Sequence, residues 1–194
     1  MAASTTRNWR DYLYLTFFSI SVVSMFLVDL VEFVPHSLWV PDSSPLHFLH
    51  LLRAFYTNTY HDLFLSTPWA QQPTFFRLFT LLELVYQLPS ALWILRRFSL
   101  DAREGTASGK TGGTTPALEL MCLVYGVQCG LTTLTCIYDC LHWEGELYTW
   151  DVKKELIFKL YMPWFLIPLG MSLDMYVRIL NRLNGQHKKT LKAQ

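Results

Sequence analysis

Several acidic side chains of this sequence stand where an acid is costly. In FLVDLVEFVP, residues 26–35, Asp29 and Glu32 interrupt a run that is apolar from about Tyr12 onward. An ionised side chain near the centre of a bilayer costs about 2.5–3.5 kcal/mol on insertion scales, so such groups face protein or water and mark function. Glu83 and Gln87, four apart in ELVYQLPSALW, share a helix face. Gln128, Thr132, Thr135 and Asp139 recur at helical spacing, and Tyr161 and Trp164 lie in KLYMPWFLIPLG beside Pro163 and Pro168. Two carboxyls that meet in an apolar layer share one proton. A singly charged acid pair in an aromatic-lined cavity suits a ligand with a greasy body and a cationic or hydroxyl head. Asp29 and Glu83 are the pair expected to do this. Gln128, Thr135 and Asp139 are read instead as hydrogen bonds between helices, at about 0.6–2 kcal/mol each. Glu32, Arg77 and Asp174, nearer the helix ends, are read as snorkelling residues.

These residues need long helices to position them. The chain has 194 residues, 52% hydrophobic and 16% charged, against about 25% charged in an ordinary soluble domain. Four stretches, roughly 11–34, 74–95, 116–142 and 155–177, reach the ~20 residues that cross a bilayer as a helix. The fold class is therefore all-α, a polytopic membrane protein built as one four-transmembrane-helix bundle over 1–194. The first stretch is too long for the core of a signal peptide and is followed by VPHSLWVP, without a small-residue cleavage site, so it serves as an anchor. Basic residues concentrate at the N-terminus (Arg7, Arg10), in the second loop (Arg96, Arg97, Arg103, Lys110) and in the tail (Arg178, Arg182, Lys188, Lys189, Lys192), which places both termini in the cytosol. In that orientation Asp29 lies roughly 8 Å, Glu83 about 14 Å, Thr132 about 15 Å and Tyr161 about 9 Å from the lumenal end, at 1.5 Å per residue. Polar groups of all four helices fall into one lumenal layer, as a bundle-core cavity requires.

In the first loop, LHFLHLLRAFYTNTYHDLFL carries Leu46, Leu49, Leu52 and Tyr56 at helical spacing and predicts a short amphipathic helix over the lumenal end, a lid. Residues 96–115 form a polar, glycine-rich loop, flexible and cytosolic, and 178–194 a basic cytosolic tail. GTASGKT, from Gly105 to Thr111, resembles a phosphate loop but is one residue short of that spacing and follows no strand, so nucleotide binding is set aside. Cys122, Cys129, Cys136 and Cys140 all fall on the third helix, which suits reduced thiols packing a seam and neither a disulfide framework nor zinc. No metal or other cofactor is called for. The basic residues flank helices without interleaved stacking aromatics, so no nucleic-acid partner is expected.

FLVDLVEFVPHSLW, ELVYQLP and KLYMPWFLIP together resemble the sigma-2 receptor (transmembrane protein 97) family of the EXPERA superfamily, which also contains sterol Δ8–Δ7 isomerases. The resemblance covers all four helices, and its diverged loops fit a distant, fungal homologue. It implies a usually homodimeric protein of the endoplasmic reticulum membrane, surrounded by membrane lipids, with an occluded pocket for sterols and amphiphilic amines. By position, Asp29 corresponds to the family's counter-ion, Glu83 to its hydrogen-bonded acid, and Gln87, Thr132, Tyr161, Trp164 and Asp62 to further ligand-binding residues. Fungal members of the group are linked to mitochondrial precursor handling at the reticulum surface, which also implies a membrane-protein partner. The isomerases carry a histidine one turn before the first acid, where this chain has Met25, and a thioether cannot relay a proton. No catalytic residues are therefore assigned. The chain is read as a non-catalytic sterol-binding or regulatory protein. A sterol isomerase using Asp29 and Glu83 is the alternative, and a structural partner-binding membrane protein the second.

Overall fold

Proline placement decides where each apolar stretch stays a regular helix and where it loosens. The computed structural model describes residues 8–108 and 114–193, and the regular elements of those residues are all helical. Four spans among them are long and apolar enough to cross a membrane: Trp9–Asp29, Thr74–Leu100, Pro116–Leu141 and Trp150–Gly185. The chain is an all-α polytopic membrane protein.

The first span is α1 (Trp9–Ser24), capped by the Asn8 side chain, followed by a wide π turn over Met25–Asp29. That turn closes when the Leu30 N–H donates to Met25 O at 2.9 Å. One helix over 11–34 is thus corrected: the chain leaves the helix after Asp29, and Val31–Phe33 forms a separate 3-10 turn. The cause is Pro35, which pushes the preceding Val34 into extended backbone at φ −79°, ψ 134°.

The connection to the second span contains α2 (Phe48–Tyr60), the expected amphipathic helix, and a four-residue α3 (Leu63–Ser66). His61 ends α2 in the left-handed region at φ 52°, which reverses the chain. Asp62 then caps α3, accepting from the Phe64 N–H at 2.9 Å.

The second span runs through α4 (Thr74–Leu82), a π turn at Glu83–Gln87 and α5 (Leu88–Ser108). The third is a regular α6 (Pro116–Leu141), started by a Thr115 cap with proline at its first position. The fourth joins α7 (Trp150–Leu156), a π turn at Ile157–Tyr161 and α8 (Met162–Ala193). Pro89 and Pro163 each follow a π turn by two residues. Proline has no N–H for the carbonyl four residues back, and its ring crowds that carbonyl, here Val85 and Lys159. The ladder widens instead, so that Leu88 N–H bonds Glu83 O and Met162 N–H bonds Ile157 O.

Two boundaries differ from expectation. α5 continues to Ser108 and α8 to Ala193, so residues 96–108 and 178–193 are helix extensions and not loop or tail. No proline occurs between Pro89 and Pro116 or after Pro168 to stop either one. Gly105–Ser108 of the phosphate-loop look-alike is helical, and its remaining residues lie outside the described ones.

α1 packs on α5, and α6 lies along α8. A methyl group on Gly126 would stand 2.3 Å from Ser172 Oγ and 2.6 Å from Pro168 O, so glycine sets that close approach. One apolar cluster, around Phe18, Ile94, Phe98, Tyr125 and Met171, fills the half of the bundle nearer the N-terminus. A second, around Phe64, Ile137, Trp143 and Leu156, fills the other half. The four cysteines are buried and free.

Beyond the first cluster lies an ionic network that the sequence reading divides into flanking charges. Arg178 pairs with Asp11 at 2.8 Å and with Asp174 at 2.7 Å, and Arg182 pairs with Glu119 at 2.8 Å. Arg182 also donates to Thr114 O, and Tyr14 donates to Asp174 at 3.1 Å. Asp174 is therefore not a snorkelling residue: its side chain is only 8% exposed, held among α1 and α8 cations.

Candidate functional site

A cavity of about 300 Å³ lies between the two apolar clusters. All seven residues selected from the sequence, Asp29, Asp62, Glu83, Gln87, Thr132, Tyr161 and Trp164, are in its wall. The π turns explain how. Asp29 closes the first of them, Glu83 and Gln87 open and close the second, and Tyr161 closes the third. A π turn moves the side chains after it off the helical stripe they would otherwise follow, and such turns are frequent at functional sites.

The carboxyls of Asp29 and Glu83 are hydrogen-bonded to each other across the first and second spans. A bond between two carboxyls needs a proton on at least one of them, so the pair holds at most one negative charge. Both are half-buried, with the exposed part turned to the cavity. Met25, one turn before Asp29, also lines the wall.

Asp62 is a second acidic centre, 1% exposed. Tyr161 donates to its Oδ2 at 2.9 Å and Tyr56 to the same oxygen at 3.1 Å, while the Phe64 N–H holds Oδ1. Burial pushes Asp62 above the usual carboxylate range, and these donors pull it part of the way back. Burial, then the Asp62 charge, keeps the Tyr56 phenol well above its ordinary value, so it remains a donor. Tyr56 sits on α2, which makes this triad the tie between the connecting helix and the fourth span.

Glu32 is not the snorkelling residue that its position near a helix end suggests. It pairs with Arg53 of α2 at 2.8 Å, with side chains 21% and 13% exposed. Arg53 also donates to Leu65 O at 2.9 Å, so one guanidinium fastens α2 to the end of the first span and to α3. The helix-to-helix bonds expected of Thr135 and Asp139 take another form: Thr135 donates to Leu131 O within its own helix, and Asp139 accepts from Trp143 Nε1 at 2.9 Å. Gln128 has both amide atoms buried without a hydrogen-bond partner.

Ser21, Ser24, Tyr56, Thr80, Tyr125, Cys129 and Cys136 also line the cavity and were not selected. A signal for some of them exists. Ser21, Met25 and Asp29 are four apart on one helix face, and Tyr125 stands seven before Thr132. Thr80 stands three before Glu83 and seven before Gln87, and Cys136 four after Thr132, so both share those faces as well.

Residues 48–175 match the EXPERA (EXPanded EBP superfamily) family. The chain belongs to the EXPERA superfamily. Of the seven selected wall residues, Asp62, Glu83, Gln87, Thr132, Tyr161 and Trp164 fall inside the EXPERA match, and Asp29 lies before it. The chain is also similar to efficient mitochondria targeting-associated protein 19 of Schizosaccharomyces pombe, 33% identical over 177 residues, covering 90% of this chain and 79% of that protein. The protein of the same name from Saccharomyces cerevisiae is 26% identical over 154 residues, covering 74% of this chain and 87% of that one. The expected fungal relationship within EXPERA is borne out.

Proposed function

We propose that this EXPERA protein is a non-catalytic binding protein of the endoplasmic reticulum membrane that takes a sterol or an amphiphilic amine into its acidic cavity. It would act in sterol homeostasis or in protein and lipid trafficking, including mitochondrial precursor handling, for which the names of its fungal relatives are the support. The observation that carries the reading is the Asp29–Glu83 carboxyl pair in the wall of a mostly apolar cavity. Carrying one negative charge in a low-dielectric site, the pair is a counter-ion for a protonated amine. Basic residues concentrated in three segments, the N-terminus, residues 96–110 and residues 178–192, support cytosolic termini, and the family resemblance supports a homodimer, which cross-linking in native membranes would test.

The same acid pair supports a second reading, sterol Δ8–Δ7 isomerisation, since a proton donor and a base stand side by side. Met25, at the position where a proton-relaying histidine would stand, weighs against it. The deciding experiment uses reconstituted protein. Asp29→Asn should abolish binding of a hydrophobic amine while the protein stays folded, and unchanged binding would remove the counter-ion role. Incubation with a Δ8-sterol should leave it unconverted. Turnover that disappears in Glu83→Gln would instead establish the isomerase. Mass spectrometry of lipid that co-purifies in gentle detergent would show whether the resident ligand is a sterol.

A further inference from the structure

The direction of the hydrogen bonds around the cavity says more about the ligand's head than the acid pair alone. Ser21 donates to Phe17 O at 2.8 Å, Ser24 to Ile20 O at 3.0 Å, Thr80 to Phe76 O at 3.1 Å and Thr132 to Cys129 O at 3.0 Å. Each of these hydroxyls directs its one proton into its own helix. The two phenols do the equivalent, since Tyr56 and Tyr161 both donate to Asp62. A hydroxyl has one proton and two lone pairs, so what these six side chains have left for a ligand is acceptor capacity. The carboxyl oxygens of Asp29, Glu83 and Asp62 add more of the same kind. Gln87 and Trp164 carry the N–H groups in the wall, the two remaining wall hydroxyls, of Tyr125 and Thr133, are engaged with Ser21 and Cys129, and the balance lies towards acceptors.

Charge points the same way. Asp62 and the acid pair are close enough for the Asp62 charge to act on Asp29. The guanidinium whose charge acts on Asp29, that of Arg53, is already bound to Glu32 and Leu65 O. Two acidic centres therefore face one space without a dedicated cation of their own.

We propose that the cavity selects its ligand by the number of hydrogen-bond donors on a cationic head, preferring a primary or secondary ammonium amphiphile to a quaternary ammonium, an alcohol or a ketone. A primary ammonium offers three N–H groups to acceptors on opposite walls, bridging the Asp29–Glu83 pair and the Asp62 set. A quaternary head has the charge and no donor. An alcohol has one donor and no charge, and its own oxygen meets a wall poor in protons. This inference rests on the binding function proposed above and narrows it, placing a sterol hydroxyl below an amine.

The test is a matched series on one hydrophobic body: dodecylammonium, its N-methyl, N,N-dimethyl and N,N,N-trimethyl derivatives, and dodecanol. Each is titrated below micellar concentration into the full-length protein in lipid nanodiscs, with Asp29→Asn nanodiscs measuring partition into lipid. Affinity should fall stepwise with each lost N–H, by about tenfold or more from the primary to the quaternary head, since hydrogen bonds to charged groups are the strong ones. Dodecanol should rank with or below the quaternary member. Asp62→Asn should compress the series, and Tyr161→Phe, which leaves Asp62 less satisfied, should preserve or steepen it. A quaternary head that binds as tightly as the primary one overturns the proposal and leaves amine binding intact. If no member exceeds the Asp29→Asn background, the underlying cavity function fails, and the proposal with it.

Discussion

Asp62 shows how one residue can be both a structural cap and a wall of the cavity. Its Oδ1 starts α3, and its Oδ2 gathers hydroxyls from α2 and the fourth span. Its net displacement is upward, from desolvation, so the folded state favours its neutral form relative to the unfolded chain. The folded protein therefore binds the extra proton between the ordinary value of 3.8 and the raised one, and across that window stability falls as pH rises. Melting temperatures of wild type and Asp62→Asn, taken in nanodiscs from acid to neutral pH, should reveal this as a difference. The variant should lack the downward component of the slope, and parallel curves would contradict the assignment. Little of this was legible beforehand. Asp62 was picked out through family resemblance, whereas its partner Tyr56 read only as an apolar position of α2.

The proline-linked π turns are the elements that build the site. Replacing Pro89 by alanine restores an N–H for Val85 O and removes the clash that widens the helix. The expected result is a protein of equal or higher thermal stability whose amine affinity falls at least about tenfold, because Gln87 and Glu83 rotate away from the wall. Calorimetric titration alongside thermal melting would separate that outcome from simple unfolding. A second test concerns α6 and α8. Gly126→Ala puts a methyl 2.3 Å from Ser172 Oγ and should cost about 1–3 kcal/mol of stability, as overpacking does. Gly130→Ala, whose methyl would meet no atom within 4 Å, should cost far less. Helix existence was readable from hydropathy, and the prolines were visible. What they did to the ladder was not, since a proline in a long apolar run can kink it, end it or widen it according to the packing around it.

On the scale of the whole molecule, the bundle is tied at both ends by charge and is apolar between. At one end Arg178 stands between Asp11 and Asp174, with Arg182 on Glu119. At the other, Arg53 joins Glu32 to α2. Arg178→Met should destabilise the protein by about 3–5 kcal/mol, because Asp11 would stay buried without its cation and Asp174 would keep only Arg10. Removing all three charges together, as Asp11→Asn, Asp174→Asn and Arg178→Met, should recover much of that loss in chemical unfolding. A triple variant as unstable as the single one would show that the network acts through packing and not through charge pairing.

Composition and the length of the apolar stretches alone determined that this chain spans a membrane as four helices, because a bilayer admits few ways of hiding a backbone. They also exposed its acids, since carboxylates in hydrocarbon are rare enough to be noticed one at a time. The direction of each proton and the partner of each charge were decided by the tertiary structure. Asp29 and Glu32, three residues apart in FLVDLVEFVP, have unrelated roles: one shares a proton with Glu83 in the cavity wall, and the other fastens α2 through Arg53. Spacing along a helix fixes which residues share a face, whereas what that face meets depends on segments far away in the chain.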